Sequence, residues 1–338
     1  MTEKPLISVI IDTYNYAAFI PEAVDSVLAQ DLPAGEYEIL VVDDGSTDDT
    51  KEKLQKYGDK LRYIYKTNGG QASAFNAGLA AAKGDIICIL DADDAWKPGK
   101  LRRVAETFRQ DPRIGLVRHL MEDMDRASEP LPGERPQLSL PDDADLEDFL
   151  ARRIFAIGSS ALSFRTEFLR KILPIPEELR LCPDEYLTTH MVFYSKAVTL
   201  REYLALRRLH PCNSGLYAHN MLRPDNLRNY IGTRELLDAR LRERIALTGT
   251  SFKTDIFALS EMNVLRAKIL LESLTGRKAE AWRLLRSRLK YGRHTVFSLF
   301  KFLTMLLAVI SPRLYAGLNA AYEENRLLPG IRRFIFRE

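Results

Sequence analysis

Three apolar runs that each stop on an aspartate constrain this 338-residue chain more than any other feature. Leu6–Ile11 (LISVII) halts at Asp12, Glu38–Val42 (EILVV) at Asp43-Asp44, and Asp85–Leu90 (DIICIL) at Asp91-Ala92-Asp93-Asp94. Continuous runs rich in β-branched residues read as strands buried on both faces, the habit of parallel sheets. Leu61–Tyr65 reads as a further strand. Between the runs the pattern turns helical: Ile20–Ala29 with Pro21 near its start, a helix capped by Ser46 or Thr47 and running to about Tyr57, and alanine-rich Gln71–Ala82 before Gly84. Strand–helix alternation predicts an α/β fold, a mainly parallel sheet with helices on both faces. Glu122–Asp148, rich in Pro, Asp and Glu, reads as loop. From Asn226 to about Gly292 the pattern is helical. The expected division is residues 1–219 as the sheet domain and 220–338 as a helical, basic extension.

Open α/β sheets bind ligands outside the carboxyl ends of their strands. Carboxylates gathered there repel one another unless a cation stands among them. Oxygen ligands of this kind suit Mn²⁺ or Mg²⁺, with a substrate diphosphate completing the shell. If the strand persists, Asp91 and Asp93 point to the same side. Each acidic cluster could equally be turn chemistry. A calcium loop starting at Asp91 is excluded, since Trp96 and Arg102 stand where glycine and glutamate are required. A receiver domain places its acidic pair after the first strand, whereas Asp43-Asp44 follows the second.

Net charge is only +3, but it is uneven: residues 220–338 hold 22 Lys+Arg against 11 Asp+Glu. His294–Ile310 is strongly apolar, is interrupted by Lys301, and follows five basic residues from Arg283 to Arg293. It is short for a spanning helix. It reads either as a helix lying on an anionic membrane surface or as a buried helix flanked by solvated charge. Cys88, Cys182 and Cys212 form no CxxC pair, so neither a zinc site nor a disulfide framework is indicated. The N-terminus lacks a signal-peptide layout. A cytoplasmic protein is expected, with a peripheral place on the inner membrane face as the variant.

Taken in order, SVIIDTYN (8–15), VVDDGSTD (41–48), NGGQA (68–72), NAG (76–78), Gly84-Asp85 and LDADDAW (90–96) resemble family 2 glycosyltransferases. The resemblance covers about the first hundred residues. It implies a GT-A fold, a nucleotide-diphosphate sugar donor with UDP as default, a divalent metal, and inversion at the anomeric carbon. By position, the nucleotide-binding set is Thr13, Tyr14, Asn15, Asp44, Asn76, Asp91 and Ala92. Asp44 would accept the base's imide N–H, and Asp43 would be structural. Asp93 would ligate the metal; Asp91 would face the ribose or join the metal shell. Asp94 would touch the donor or cap the next helix. Trp96 would stack on a sugar or pack beneath the site. Two places depart from the pattern: Asp12 stands where Pro is usual, and Phe75 where Arg is common.

Cys182-Pro183-Asp184-Glu185 resembles the family's segment carrying the general base, which makes Asp184 the base and Glu185 its alternative. An acidic first helical turn is also ordinary helix chemistry. Tyr203–Ser214 resembles the family's YRxHxxNxS stretch, with His210 on the metal, on the diphosphate, or simply structural. The acceptor would be a glycan, lipid-linked or protein hydroxyl in polysaccharide or cell-surface glycan synthesis. Two rivals stand beside this reading: a sugar-nucleotide nucleotidyltransferase, for which the Gly-rich opening loop is missing, and a non-catalytic binding module. The basic C-terminal part is the sole argument for a nucleic-acid partner.

Overall fold

The computed structural model describes residues 7–33, 35–131, 146–151, 158–210, 223–289, 303 and 305–315. Five strands lie in the first part: β1 (Ile7–Thr13), β2 (Tyr37–Asp43), β3 (Arg62–Tyr65), β4 (Ile86–Asp91) and the short β5 (Ala95–Trp96). They alternate with α1 (Ile20–Leu28), α2 (Thr50–Leu54), α3 (Gln71–Ala81) and α4 (Lys100–Gln110). Then follow β6 (Ile114–Met124), α5 (Leu146–Ala151), β7 (Leu162–Arg165), α6 (Thr166–Leu169), α7 (Pro183–Met191) and β8 (Lys196–Arg208). The eight strands form one sheet in the order β3-β2-β1-β4-β7-β6-β8-β5. β1, β2, β3 and β4 pair in parallel, as do β6 and β8, while β7 and β5 run antiparallel to their neighbours.

The core follows from the apolar runs. β1 is buried from Ile7 to Ile11, and α1 presses Ile20, Ala23, Val24 and Val27 onto the same cluster as Val9 and Ile11. Two glycines allow close approach. A Cβ on Gly78 would lie 2.6 Å from Ile10 Cγ2, so glycine lets α3 rest on the sheet. A Cβ on Gly84 would lie 2.5 Å from the backbone nitrogen of Ser8.

Several expectations shift. Ser46 and Thr47 cap no helix; Ser46 N donates to Asp43 and Thr47 N to Asn15, so α2 begins only at Thr50. Glu122–Met124 belong to β6 rather than to a loop. Cross-strand pairing to β8 and ion pairs from Lys97 to Glu122 and from Arg207 to Asp123 hold them extended. Residues 132–145 of that expected loop lie outside the described residues. The helical stretch is three helices, α8 (Pro224–Thr248), α9 (Ala258–Leu274) and α10 (Lys278–Leu289).

Two compact units result, Met1–Asn213 with Arg240–Ile256, and Ser214–Ala239 with Phe257–Glu338. The division differs from a single cut at 219. Arg244 donates to the Tyr194 hydroxyl (2.7 Å) and Thr254 N to Glu147 (2.7 Å), which ties 240–256 into the first unit. The second unit has its own core of Leu227, Ile231, Val264, Leu270, Ala281 and Leu285. Most of His294–Ile310 lies outside the described residues; 305–310 is helical, with Met305, Ala308 and Val309 buried in that core. Among the described residues, no helix is long and apolar enough to cross a membrane.

Gly84→Ala is expected to lower stability by about 1–3 kcal/mol, because a methyl meets backbone that cannot yield. Gly232→Ala, inside α8 with nothing within 4 Å, should be neutral or stabilising by up to about 1 kcal/mol. Denaturant unfolding of both variants checks the contrast.

A candidate active site at the carboxyl ends of the strands

β1, β2 and β4 end side by side, so their terminal residues share one rim. The register sets Asp12 against Asp91 and Thr13 against Asp43. After β4 the chain turns, with Asp94 N donating to Asp91 O (3.1 Å), and this turn gathers Asp91, Asp93 and Asp94. One ligand atom from each of the three lies within 4.8 Å of the others. Asp93 and Asp94 are buried, and Asp91 is partly so.

Hydroxyls and one arginine hold this turn. Ser159 Oγ donates to the Asp91 carboxylate (2.6 Å to Oδ1). Ser160 Oγ accepts from Asp91 N (3.0 Å) and donates to Asp94 Oδ2 (2.6 Å). Arg208, 1% exposed, closes β8 beneath the turn. Its backbone N donates to Asp94 Oδ1 (2.9 Å) and its Nε to the Asp93 carbonyl (2.8 Å). Its guanidinium also meets Glu22, Ser128 and the carbonyls of Asp125 and Arg126.

Crowding of like charge away from water drives the proton affinities up. Asp91 lies well above the ordinary carboxylate range through burial first, then the charges of Asp94, Asp93 and Asp184. Asp12 is raised by burial, then by Asp91 and Asp93. Asp94 is pushed up to about 8 by burial and then by Asp93. Gln71 partly compensates, donating to Asp91 Oδ1 (3.2 Å) and bonding Asp12 as well.

The other residues singled out in the sequence divide. Thr13 closes β1 with its hydroxyl buried and unpartnered, and Tyr14 is 46% exposed at the rim. Asn15 latches onto the next loop, its N donating to Ser46 Oγ (2.9 Å) and its Oδ1 accepting from Thr47 N (2.8 Å). Asp44 is buried and accepts from Lys66 Nζ (2.7 Å) and the amides of Gly69 (2.9 Å) and Gly70 (2.7 Å). Asp43 accepts from Ser46 N and the Tyr63 hydroxyl, a wholly internal use of its carboxylate. Asn76 uses both ends of its amide on the backbone of Ile175 (2.8 and 2.9 Å), which ties α3 to the chain before α7. Ala92 is buried. Trp96 is 3% exposed, donates to Ser160 O (2.8 Å) and has Lys100 Nζ 3.4 Å from its ring centroid. Asp184 stands in the first turn of α7, close enough for its charge to reach Asp91; Glu185 beside it is buried. His210 Nε2 lies 2.9 Å from Asp93 Oδ2, with its ring stacked on Phe19.

No site role is read from the sequence for Ser159, Ser160 and Gln71, which bond the carboxylates, or for Arg208, whose backbone N bonds Asp94 and whose guanidinium bonds the Asp93 carbonyl. The serines lie about 68 residues beyond Asp91 in an unremarkable Gly-Ser-Ser turn, and only the sheet brings them back.

Residues 8–173 match the model for glycosyl transferase family 2. An uncharacterised glycosyltransferase of Nostoc sp. is 35% identical over 264 residues, covering 74% of this chain and 79% of that protein. A Bacillus subtilis glycosyltransferase named for teichuronic acid biosynthesis is 41% identical over 107 residues, 30% of this chain and 42% of that one. Among solved structures, S. aureus TarS 1-349 with UDP is similar with TM-score 0.52 and 21% identity over 94% of this chain and 91% of that one. Mannosyltransferase PcManGT from Pyrobaculum calidifontis, with GDP-Man and Mn²⁺, gives TM-score 0.53 and 18% identity over 96% and 89%. These structural likenesses concern the fold, and that fold is GT-A. The chain belongs to glycosyltransferase family 2.

The raised value at Asp94 has a stability consequence. The folded state holds this proton more tightly than the unfolded chain, whose aspartates titrate at about 4. Its contribution is therefore full at low pH and drains as pH rises toward about 8. In chelator, Asp94→Asn should lose less stability than the parent between about pH 5 and about pH 8. Urea unfolding at the two pH values measures the difference, and parallel losses would contradict the assignment.

Proposed function

We propose that this glycosyltransferase is inverting and divalent-cation-dependent, moving a sugar from a nucleotide-diphosphate donor, UDP-sugar favoured, to an acceptor hydroxyl. The observation that carries the reading is the meeting of Asp91, Asp93 and Asp94 within 4.8 Å, with the Asp184 charge reaching Asp91. Such an all-oxygen set fits Mn²⁺ or Mg²⁺, and the unpartnered buried Oδ1 of Asp12 beside it is the mark of a site short of positive charge. Asp93 and Asp91 would hold the ion, with Asp94 adjoining and His210 orienting Asp93. When bound, the ion supplies Lewis-acid neutralisation of the departing diphosphate.

The chain's own groups do the rest. Thr13, Tyr14 and Asn15 form the floor and rim of the base pocket, and Asp44 orders the 66–70 loop that faces the base. Asp184 takes the acceptor hydroxyl's proton. The freed oxygen forms a bond to the anomeric carbon from the face opposite the diphosphate. The bond from that carbon to the β-phosphate oxygen breaks, and the nucleoside diphosphate leaves with the electron pair. The acceptor belongs to a cell-envelope or polysaccharide glycan, a reading supported by the Bacillus relative's name. Exposed Trp282, beside Arg283 and Arg286, together with exposed Leu303 and Ile310, supports a peripheral site on anionic lipid at the cytoplasmic face.

Asp184→Asn is expected to lower kcat about 10²–10⁴-fold while UDP affinity changes little, with Glu185→Gln far milder. Donor consumption and calorimetric UDP binding read the two effects. Near-normal turnover by Asp184→Asn would remove the base from that residue. In thermal shift, UDP with Mn²⁺ should stabilise the protein more than either alone, and Asp93→Asn should erase that synergy.

A further inference from the structure

We propose that Asp12 is a fourth carboxylate of the cation centre, acting from β1 on the ion's water shell and raising the centre's affinity for Mn²⁺ or Mg²⁺. This rests on the cation reading above. The family usually has proline at this place, where this chain carries a carboxylate.

Three observations carry it. Asp12 is register partner to Asp91 on the neighbouring parallel strand. Paired strands lie about 4.8 Å apart and matched residues face the same side, which brings the two carboxyl groups together. Second, Asp12 Oδ1 is sealed from solvent and has no hydrogen-bond partner. A buried carboxylate oxygen left so is costly, and the cost is lifted when a cation or its bound water is the partner. Third, Gln71, whose side chain bonds Asp12, is shared with Asp91. Asp12 is thus coupled to the same centre through both charge and hydrogen bonding. It does not join the tight trio of Asp91, Asp93 and Asp94. A place one shell out, where Mg²⁺ and Mn²⁺ keep coordinated water, fits that position.

The test uses the full chain, stripped with chelator and titrated with Mn²⁺ with and without UDP, free Mn²⁺ being counted by electron paramagnetic resonance. Asp12→Asn and Asp12→Ser are compared with the parent, and thermal unfolding is recorded in chelator. Both variants are expected to bind Mn²⁺ about tenfold more weakly, the scale of losing an outer-shell partner. In chelator both should unfold at a higher temperature than the parent, because a buried carboxyl crowded by Asp91 has been removed. A purely structural aspartate would give the reverse, a lower unfolding temperature with unchanged Mn²⁺ affinity, and that result overturns the proposal. Should Mn²⁺ binding vanish in Asp93→Asn yet persist unchanged in both Asp12 variants, Asp12 alone is excluded and the cation centre stands. If the parent binds no Mn²⁺ with or without UDP, the cation reading falls and this inference falls with it.

Discussion

Repulsion among carboxylates at a dry sheet rim is the constraint on which the rest of this structure depends. Parallel strands that are apolar up to their closing aspartates bring their ends together, so Asp12 and Asp91 arrive in register with no choice in the matter. Asp93 and Asp94 add two more charges within a few residues. Each group removed from water next to another anion holds its proton more tightly, and the raised values of Asp12, Asp91 and Asp94 record that stress. A fold that keeps such a cluster gains from it only when positive charge comes and goes there. Under the proposed function, a nucleotide diphosphate arriving with its cation would meet that condition.

The stress is contained by neutral and cationic donors placed around the turn. Ser159 and Ser160 divide the carboxylates of Asp91 and Asp94 between them, while Arg208 clamps the turn from below through both its backbone and its guanidinium. A buried arginine with this many acceptors acts as a rigid joint, because its planar fork fixes the direction of each bond. Through Glu22 and Ser128 the same side chain reaches α1 and the loop after β6. The geometry of the acidic turn is thereby coupled to three separate stretches of chain. The loops after β2 and β3 are organised by the same logic: Asp44 gathers the amides of Gly69 and Gly70, and Asn15 fastens the loop after β2.

The first hundred residues were legible because their signals are local. An apolar run, a stop and an acid follow one another in sequence, and hydrophobic period alone separates buried strand from helix. The later strands were harder. β8 carries Lys196, Arg201, Glu202, Arg207 and Arg208, since it sits near the sheet's edge, where Arg207 pairs with Asp123 and Glu202 with Arg103. Its residues have no clean alternation, and β6 was mistaken for loop where its acids are salt-bridged. Asn76 looked like a ligand contact and ties α3 to Ile175 instead. Trp96 is packed against Lys100 and Ser160, partners that no local pattern announces.

By itself the sequence determined the parallel sheet, the gathering of aspartates at its carboxyl rim and the family to which the chain belongs, because these follow from contiguous patterns of burial and charge. Only the tertiary structure decided which acids face one another, which donors hold them, and that a segment after Ala239 belongs with the first unit. Those outcomes depend on partners tens of residues apart, such as Asp91 with Ser159 and Asp93 with His210, and pairing at that range is set by the packing of the sheet rather than by any local preference.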